Sequence, residues 1–404
     1  MHMKPKYLSL LCLTFVTAVG FAQDSTREKS LEIYGFAMTD MGYDFKQIDP
    51  NWFDAMRVTK LPSYANQFAP DGKVFFSVRQ SRFGVAGYTP TPIGTLKAVF
   101  EFDMFGVGVD QGQTTMRLRH AYAKLGNIIV GQTNSPFMDG DIFPNTLEYW
   151  GPTGMVFFRN IFLGYYFMQG DKEAILAIER PGASADQGTF SDRTELDSVK
   201  GQFNIPDVSA HFKKSGDWGH VQLAGMLRFL KWKDIHTTGV YDISGNALGW
   251  GLNLTTVLNL GPMDVFRGGV IYGAGVENYM NDAPVDVGVV DNTSNPAQPF
   301  LGKVVPVTGV SAFIDHNWTS TLSTSIGYSF CHLDNTSGAA PSAYKTGQYA
   351  IVNLLVAPFK NAMMGAELQW GQRSNYTDGF SSTDIKLQFS FKYNFSQAFY
   401  RDKK

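Results

Sequence analysis

A chain of 404 residues with a formal net charge of −2 and only 17 % charged residues offers no overall electrostatic pull on nucleic acid or an anionic membrane surface. Hydrophobic residues at 44 %, aromatics at 14 % and 41 glycines exclude a disordered polyelectrolyte. Any selectivity for charge has to come from local arrangement.

The chain begins with an export signal: His2, Lys4 and Lys6 are basic, Leu8 to Phe21 is apolar, and Gly20-Phe21-Ala22 predicts cleavage after Ala22. Residues 1–22 are therefore read as a signal peptide and 23–404 as one mature unit. Losing the signal removes Cys12 and leaves Cys331 alone, so neither a disulfide nor a cysteine metal site is expected. No later segment reaches the ~18 uninterrupted apolar residues of a membrane helix.

Along the mature chain the dominant period is two. Leu96, Ala98, Phe100, Phe102 and Met104 alternate with Thr95, Lys97, Glu101 and Asp103, and Val221, Leu223, Leu227 and Phe229 oppose Gln222 and Arg228. The same reading holds for Leu248 to Leu260, Leu322 to Phe330 and Met364 to Trp370. It is clearest in Asp384 to Ser396, where Ile385, Leu387, Phe389, Phe391, Tyr393 and Phe395 alternate with Lys386, Gln388, Ser390, Lys392 and Asn394. Alternation sustained over ~10 residues has the length and period of a strand with lipid on one face and water on the other. Phe157 to Phe167 and Ile351 to Val356 are apolar on both faces, which predicts packing against a plug, an inward loop or a neighbouring protomer.

Connections give an independent signal. Short turns are predicted at Thr89–Gly94, Leu125–Asn127, Gln169–Asp171, Ser215–Asp217, Gly261–Pro262, Asn317–Trp318 and Phe359–Asn361. Longer polar or Gly/Pro-bearing stretches lie at Phe45–Gly72, Gly106–Gly112, Ser135–Met155, Pro181–Asn204, Lys233–Gly245, Asn278–Val305, Leu333–Thr346 and Ser374–Ser381. About sixteen strands, seven turns and eight loops make an all-β transmembrane antiparallel barrel in the outer membrane of a Gram-negative cell, surrounded by its lipid.

Such a barrel is wide enough for an aqueous lumen. The Ser135–Met155 stretch, with Asp139, Asp141, Glu148, Tyr149 and Trp150 between prolines, is read as an infolded constriction loop, an external surface loop being the alternative. Arg117 and Arg119 share one strand face, while Arg79 or Arg82 faces inward, since Ser77–Val85 fits either register with a bulge. Arg228, Lys386 and Lys392 sit on polar faces. This basic wall predicts a preference for small anionic solutes, because the guanidinium fork matches carboxylate and phosphate. The rival reading is structural, with arginines and loop carboxylates pairing only to hold the loop. No cofactor, metal or catalytic residue is expected: the histidines are scattered, no Gly-x-Ser-x-Gly elbow occurs, and Gly106-Val107-Gly108 is a turn. His332 near Asp334 is the nearest approach to a hydrolytic pair. A channel is therefore expected, with a closed structural or adhesive barrel as the second reading and a barrel enzyme as the third.

The ordered set Val78-Arg79-Gln80-Ser81-Arg82-Phe83-Gly84, Arg117-Leu118-Arg119-His120-Ala121-Tyr122 and Val130-Gly131-Gln132-Thr133, leading into a Phe- and Asp-containing loop, resembles the DcaP-like porin family. The resemblance implies a homotrimeric barrel passing small anionic solutes, dicarboxylic acids among them, with Arg79, Arg82, Arg117 and Arg119 lining the channel. Two departures stand out. Some members carry an N-terminal coiled coil, whereas here only Gln23–Ser30 separates the signal from the first strand. Many outer-membrane barrels end on an aromatic residue, whereas this chain runs past Phe395 to Lys404.

Overall fold

The computed structural model describes residues 29–236 and 239–400, so the expected signal segment 1–22 lies outside the described residues. Antiparallel pairing runs from the strand Ser30–Asp44 round to Ser381–Tyr400, and these two pair with each other from Ser30↔Tyr400 to Asp44↔Lys386. The sheet closes as a sixteen-strand barrel. Closure matters energetically, because lipid offers no hydrogen bonds to an open strand edge.

The strands form where the alternation predicts them. In Ser381–Tyr400, Phe389, Phe391 and Tyr393 are exposed on the outer face while Lys386, Gln388 and Ser390 are buried inside. In Gly219–Asp234, Leu223, Leu227 and Phe229 face out and Gln222, Met226 and Arg228 face in. The last strand runs further than Ser396, because Gln397 to Tyr400 pair with Ile33 to Ser30. Phe389 lies mid-strand on the lipid side, so Phe389→Arg is expected to destabilise the folded barrel in bilayers by roughly 2–4 kcal/mol. Urea titration in lipid vesicles measures it, and an unchanged midpoint would contradict the outward facing.

Among the described residues, seven short turns and eight longer loops join the strands at the predicted places. The second strand is split. Lys73–Ser77 and Arg82–Thr91 both pair antiparallel with Ser30–Asp44 and run in the same direction, separated by a bulge of four residues in which Ser81 N–H donates to Val78 C=O at 3.0 Å. With that bulge both Arg79 and Arg82 point inward.

The well-packed core sits in the lumen. Ile48, Trp52, Met56, Val58 and Leu61 from the first long loop meet Phe137, Met138 and Val156 from the Ser135 loop, and Val276, Tyr279 and Met280 from the loop ahead of Val305. Wall residues Tyr349 and Ile351 are buried against them, which explains why Ile351–Val356 reads as apolar on both faces. Close approach also needs glycine: a Cβ on Gly154 would sit 2.0 Å from Phe330 O and 2.6 Å from Val310 O. Only the Ser135 loop was expected to fold inward; the other two join it because their Trp, Ile, Met and Val side chains have no other core. Among the described residues a small three-stranded sheet, Ala185–Asp186 with Val287–Asp291 and Phe300–Val304, caps the loop end, and the sequence pattern did not anticipate it.

Candidate functional site in the barrel lumen

The Ser135 loop is tied to the wall by buried carboxylates. Glu367 on the strand Ala362–Asn375 accepts hydrogen bonds from Thr146 Oγ1 at 2.7 Å, Leu147 N–H at 2.9 Å and Glu148 N–H at 3.1 Å. Asn353 Nδ2 at 2.9 Å and Gln369 Nε2 at 3.0 Å complete its shell. Glu148 points the other way, accepting from Met56 N–H at 2.9 Å and from Gly151 N–H. Burial pushes its carboxyl up to about 7, and the backbone donors hold it from going higher.

Asp139 accepts from His220 Nε2 at 2.7 Å and Thr255 Oγ1 at 2.8 Å. Burial opposes its ionisation, but the His220 bond and the Lys213 charge win and hold it down at about 2. Asp141 is exposed and pairs with Lys213 at 2.6 Å. These two aspartates line a separate polar cavity of about 380 Å³ with Lys213 and His211, not the space in front of the arginines.

The loop tip does face the arginines. Tyr149 stacks on Phe105 with ring centroids 3.9 Å apart, and its hydroxyl donates to Asp103 while accepting from Arg117 and, at 3.1 Å, from Arg119 Nη1. Trp150 covers Arg57, whose guanidinium lies 4.2 Å from that ring and 4.3 Å from the Trp52 ring. Arg57 also donates to Asp282 at 2.9 Å, and Trp150 Nε1 donates to Asn281 C=O at 3.0 Å, so this cation clasps three loops together.

Between tip and wall lies a cavity of about 740 Å³ lined by Arg82, Arg117, Arg119, Arg159, Lys392 and Glu101, with Arg57, Glu148, Tyr149 and Trp150 at its loop side. Arg117 grips Asp103 with two bonds, Nε to Oδ1 at 3.0 Å and Nη2 to Oδ2 at 2.6 Å. Arg119 bridges Glu101 at 2.9 Å and Asp103 at 2.8 Å. Arg82 approaches Glu101 only to 3.5 Å. Arg159 and Lys392 make no ion pair among the described residues, and each instead lies over an aromatic ring, Phe157 at 5.3 Å and Phe36 at 4.6 Å.

Three cations expected to line the passage are placed elsewhere. Arg79, 1 % exposed, pairs with Asp54 at 2.8 Å and donates to Gly106 C=O at 3.1 Å. Lys386 is sealed against Asp44 at 3.3 Å and Phe53 C=O at 3.0 Å. Arg228 is fully buried between Asp207 at 3.1 Å and Asp286 at 2.8 Å. All three face the inside of the barrel, but loops cover them. Conversely, Arg57 and Arg159 carry no signal in strand alternation, since one lies in a loop and the other is the first residue of a strand, where alternation does not decide facing.

The sequence matches the model for the DcaP outer membrane protein family over residues 16–395. This chain belongs to the DcaP family. Its fold is that of the DcaP outer membrane channel of Acinetobacter baumannii, with TM-score 0.73 at 18 % identity over 92 % of this chain and 99 % of that one. An anion-selective porin from Comamonas acidovorans follows with TM-score 0.58 at 11 % identity, over 91 % of this chain and all of the other. OmpT of Vibrio cholerae, in a loop-deletion form, gives TM-score 0.55 at 12 % identity over 91 % and 100 %. No curated protein sequence matches. This DcaP-family chain is thus an outer-membrane porin-type barrel with the Ser135 loop tip set against the arginine wall in its lumen.

Proposed function

We propose that this protein is a passive channel for small hydrophilic anions, dicarboxylates among them, and that it works as a homotrimer. The observation carrying the reading is the charge balance of the lumen. Arg82, Arg117, Arg119, Arg159 and Lys392 line one cavity wall, with Glu101 and Asp103 as the carboxylates paired to its arginines. Of the loop carboxylates at this cavity, burial raises Glu277 well above its ordinary value and Glu148 to about 7, so both carry less than full negative charge. A surplus of cations between low-dielectric walls concentrates anions and repels cations. The trimer and the dicarboxylates rest on the family resemblance alone.

Under a potassium chloride gradient, purified mature protein in a planar bilayer is expected to show a reversal potential of the sign set by chloride, in steps grouped in threes. A potassium-signed potential would sink the anion reading. The three packed loops support a rival, a closed structural or adhesive barrel, and silence in the bilayer would favour it. No reaction is proposed: His332 and Asp334 approach to 3.3 Å, but the other His332 nitrogen is engaged by Thr346 Oγ1 at 2.9 Å.

A further inference from the structure

The cations of the main cavity are of two kinds. Arg117 and Arg119 are saturated: each holds a carboxylate in a short bond, and both meet the Tyr149 hydroxyl. Arg57 is saturated too, between two indole rings and Asp282. Arg82, Arg159 and Lys392 are not. Among the described residues none of the three donates a hydrogen bond to the protein, and the buried nitrogens Arg82 Nε, 3.5 Å from Glu101, and Arg159 Nη1 have no hydrogen-bond partner. Arg82 and Lys392 both lie against the Phe36 ring, at 5.1 and 4.6 Å, so two like charges meet one ring.

Leaving cations half-buried with a distant counter-charge, as at Arg82, or with none, as at Arg159 and Lys392, costs stability, since desolvation is not fully offset. A chain that gives Glu101 and Asp103 in short bonds to the neighbouring arginines, leaves Arg82 only a 3.5 Å approach to the shared Glu101, and places no carboxylate on Arg159 or Lys392 among the described residues, leaves donors for something that is not part of the protein. Sites of this kind are where function is retained against stability.

We infer that Arg82, Arg159 and Lys392 are the groups that accept the anionic ends of a passing solute, whereas Arg117 and Arg119 position the Tyr149 tip that shapes the passage. The inference rests on the anion reading above and refines it. Arg82 with Lys392 forms one pole beside Phe36, and Arg159 forms another above Phe157. A guanidinium at each pole offers a planar fork to a carboxylate, and the ammonium adds an unoriented charge. The solute exchanges water for these donors at one pole, then at the other, with no covalent step.

The test is block of chloride current by succinate in planar bilayers, read as the half-blocking concentration, in wild type and in Arg82→Gln, Arg159→Gln, Lys392→Gln and the triple variant. Each single change should raise that concentration about tenfold, the loss of one charge-assisted hydrogen bond, and the triple change by more. Arg159→Lys should recover part of the loss. Lys214→Gln, an equal charge change on the exposed turn end, should leave it unaltered. Isothermal titration of succinate into detergent-purified protein reads the same order without needing current. Melting temperatures of the variants should equal or exceed that of the wild type. A triple variant blocked as readily as wild type, with chloride preference intact, overturns this assignment while leaving the channel reading standing. A fall in melting temperature with unchanged block assigns the three to structure and overturns it as well. Potassium preference in the wild type would remove the anion reading itself.

Discussion

Replacing Glu367 by alanine is expected to open the channel. Its carboxylate gathers the Leu147 and Glu148 amides, the Thr146 hydroxyl and the amides of Asn353 and Gln369 into one buried cluster. Without it, the turn Thr146–Glu148 loses its acceptors, and the buried amides that donated to it are left unsatisfied. Tyr149 and Trp150 follow directly in the chain, so the tip loses its register against Asp103 and Arg57. Single-channel conductance should rise and become noisy, and stability in urea should fall by about 3 kcal/mol, as for other broken buried networks. Glu367→Gln keeps one acceptor oxygen and should sit between wild type and alanine on both measures. Unchanged conductance in Glu367→Ala would mean that this loop does not set the narrowest point.

The barrel was legible because it is built on local period. A lipid face and a wet face impose alternation on every strand, and the Gly261–Pro262 and Phe359–Asn361 turns mark where it breaks. The lumen was less legible, because what fills it depends on contacts between residues far apart in the chain. Trp52, Met56 and Val58 look like scattered apolar residues in a polar loop until the structure sets them against Phe137, Tyr279 and Tyr349. Arg117 and Arg119 face inward on the strand Thr114–Leu125, but inward facing is not the same as lining the passage. Arg79, Lys386 and Arg228 face inward and lie beneath loops. Arg159 was missed for the converse reason, since it enters the cavity at a loop–strand junction. The acidic content of the Ser135 loop was read correctly as residues and wrongly as a group: Asp139 turns to His220 and Asp141 to Lys213, while Tyr149 supplies the contact with the arginines.

Arg228 tests that distinction between facing and lining. Its guanidinium bonds Asp207 on the neighbouring strand, Asp286 on the third infolded loop, and the carbonyls of Gly275 and Gly182 from two loops. Arg228→Met removes the charge but keeps the volume, leaving Asp207 and Asp286 buried without their counter-ion. Breaking a buried pair from one side typically costs about 3–5 kcal/mol, so this variant should unfold at markedly lower urea. Its reversal potential in the fraction that folds should match wild type, because Arg228 does not touch the cavity where Arg82, Arg159 and Lys392 lie. Adding Asp207→Asn and Asp286→Asn to Arg228→Met should restore part of the stability, since the stranded charges go with their partner. A shift of selectivity with no loss of stability would return Arg228 to the wall of the passage.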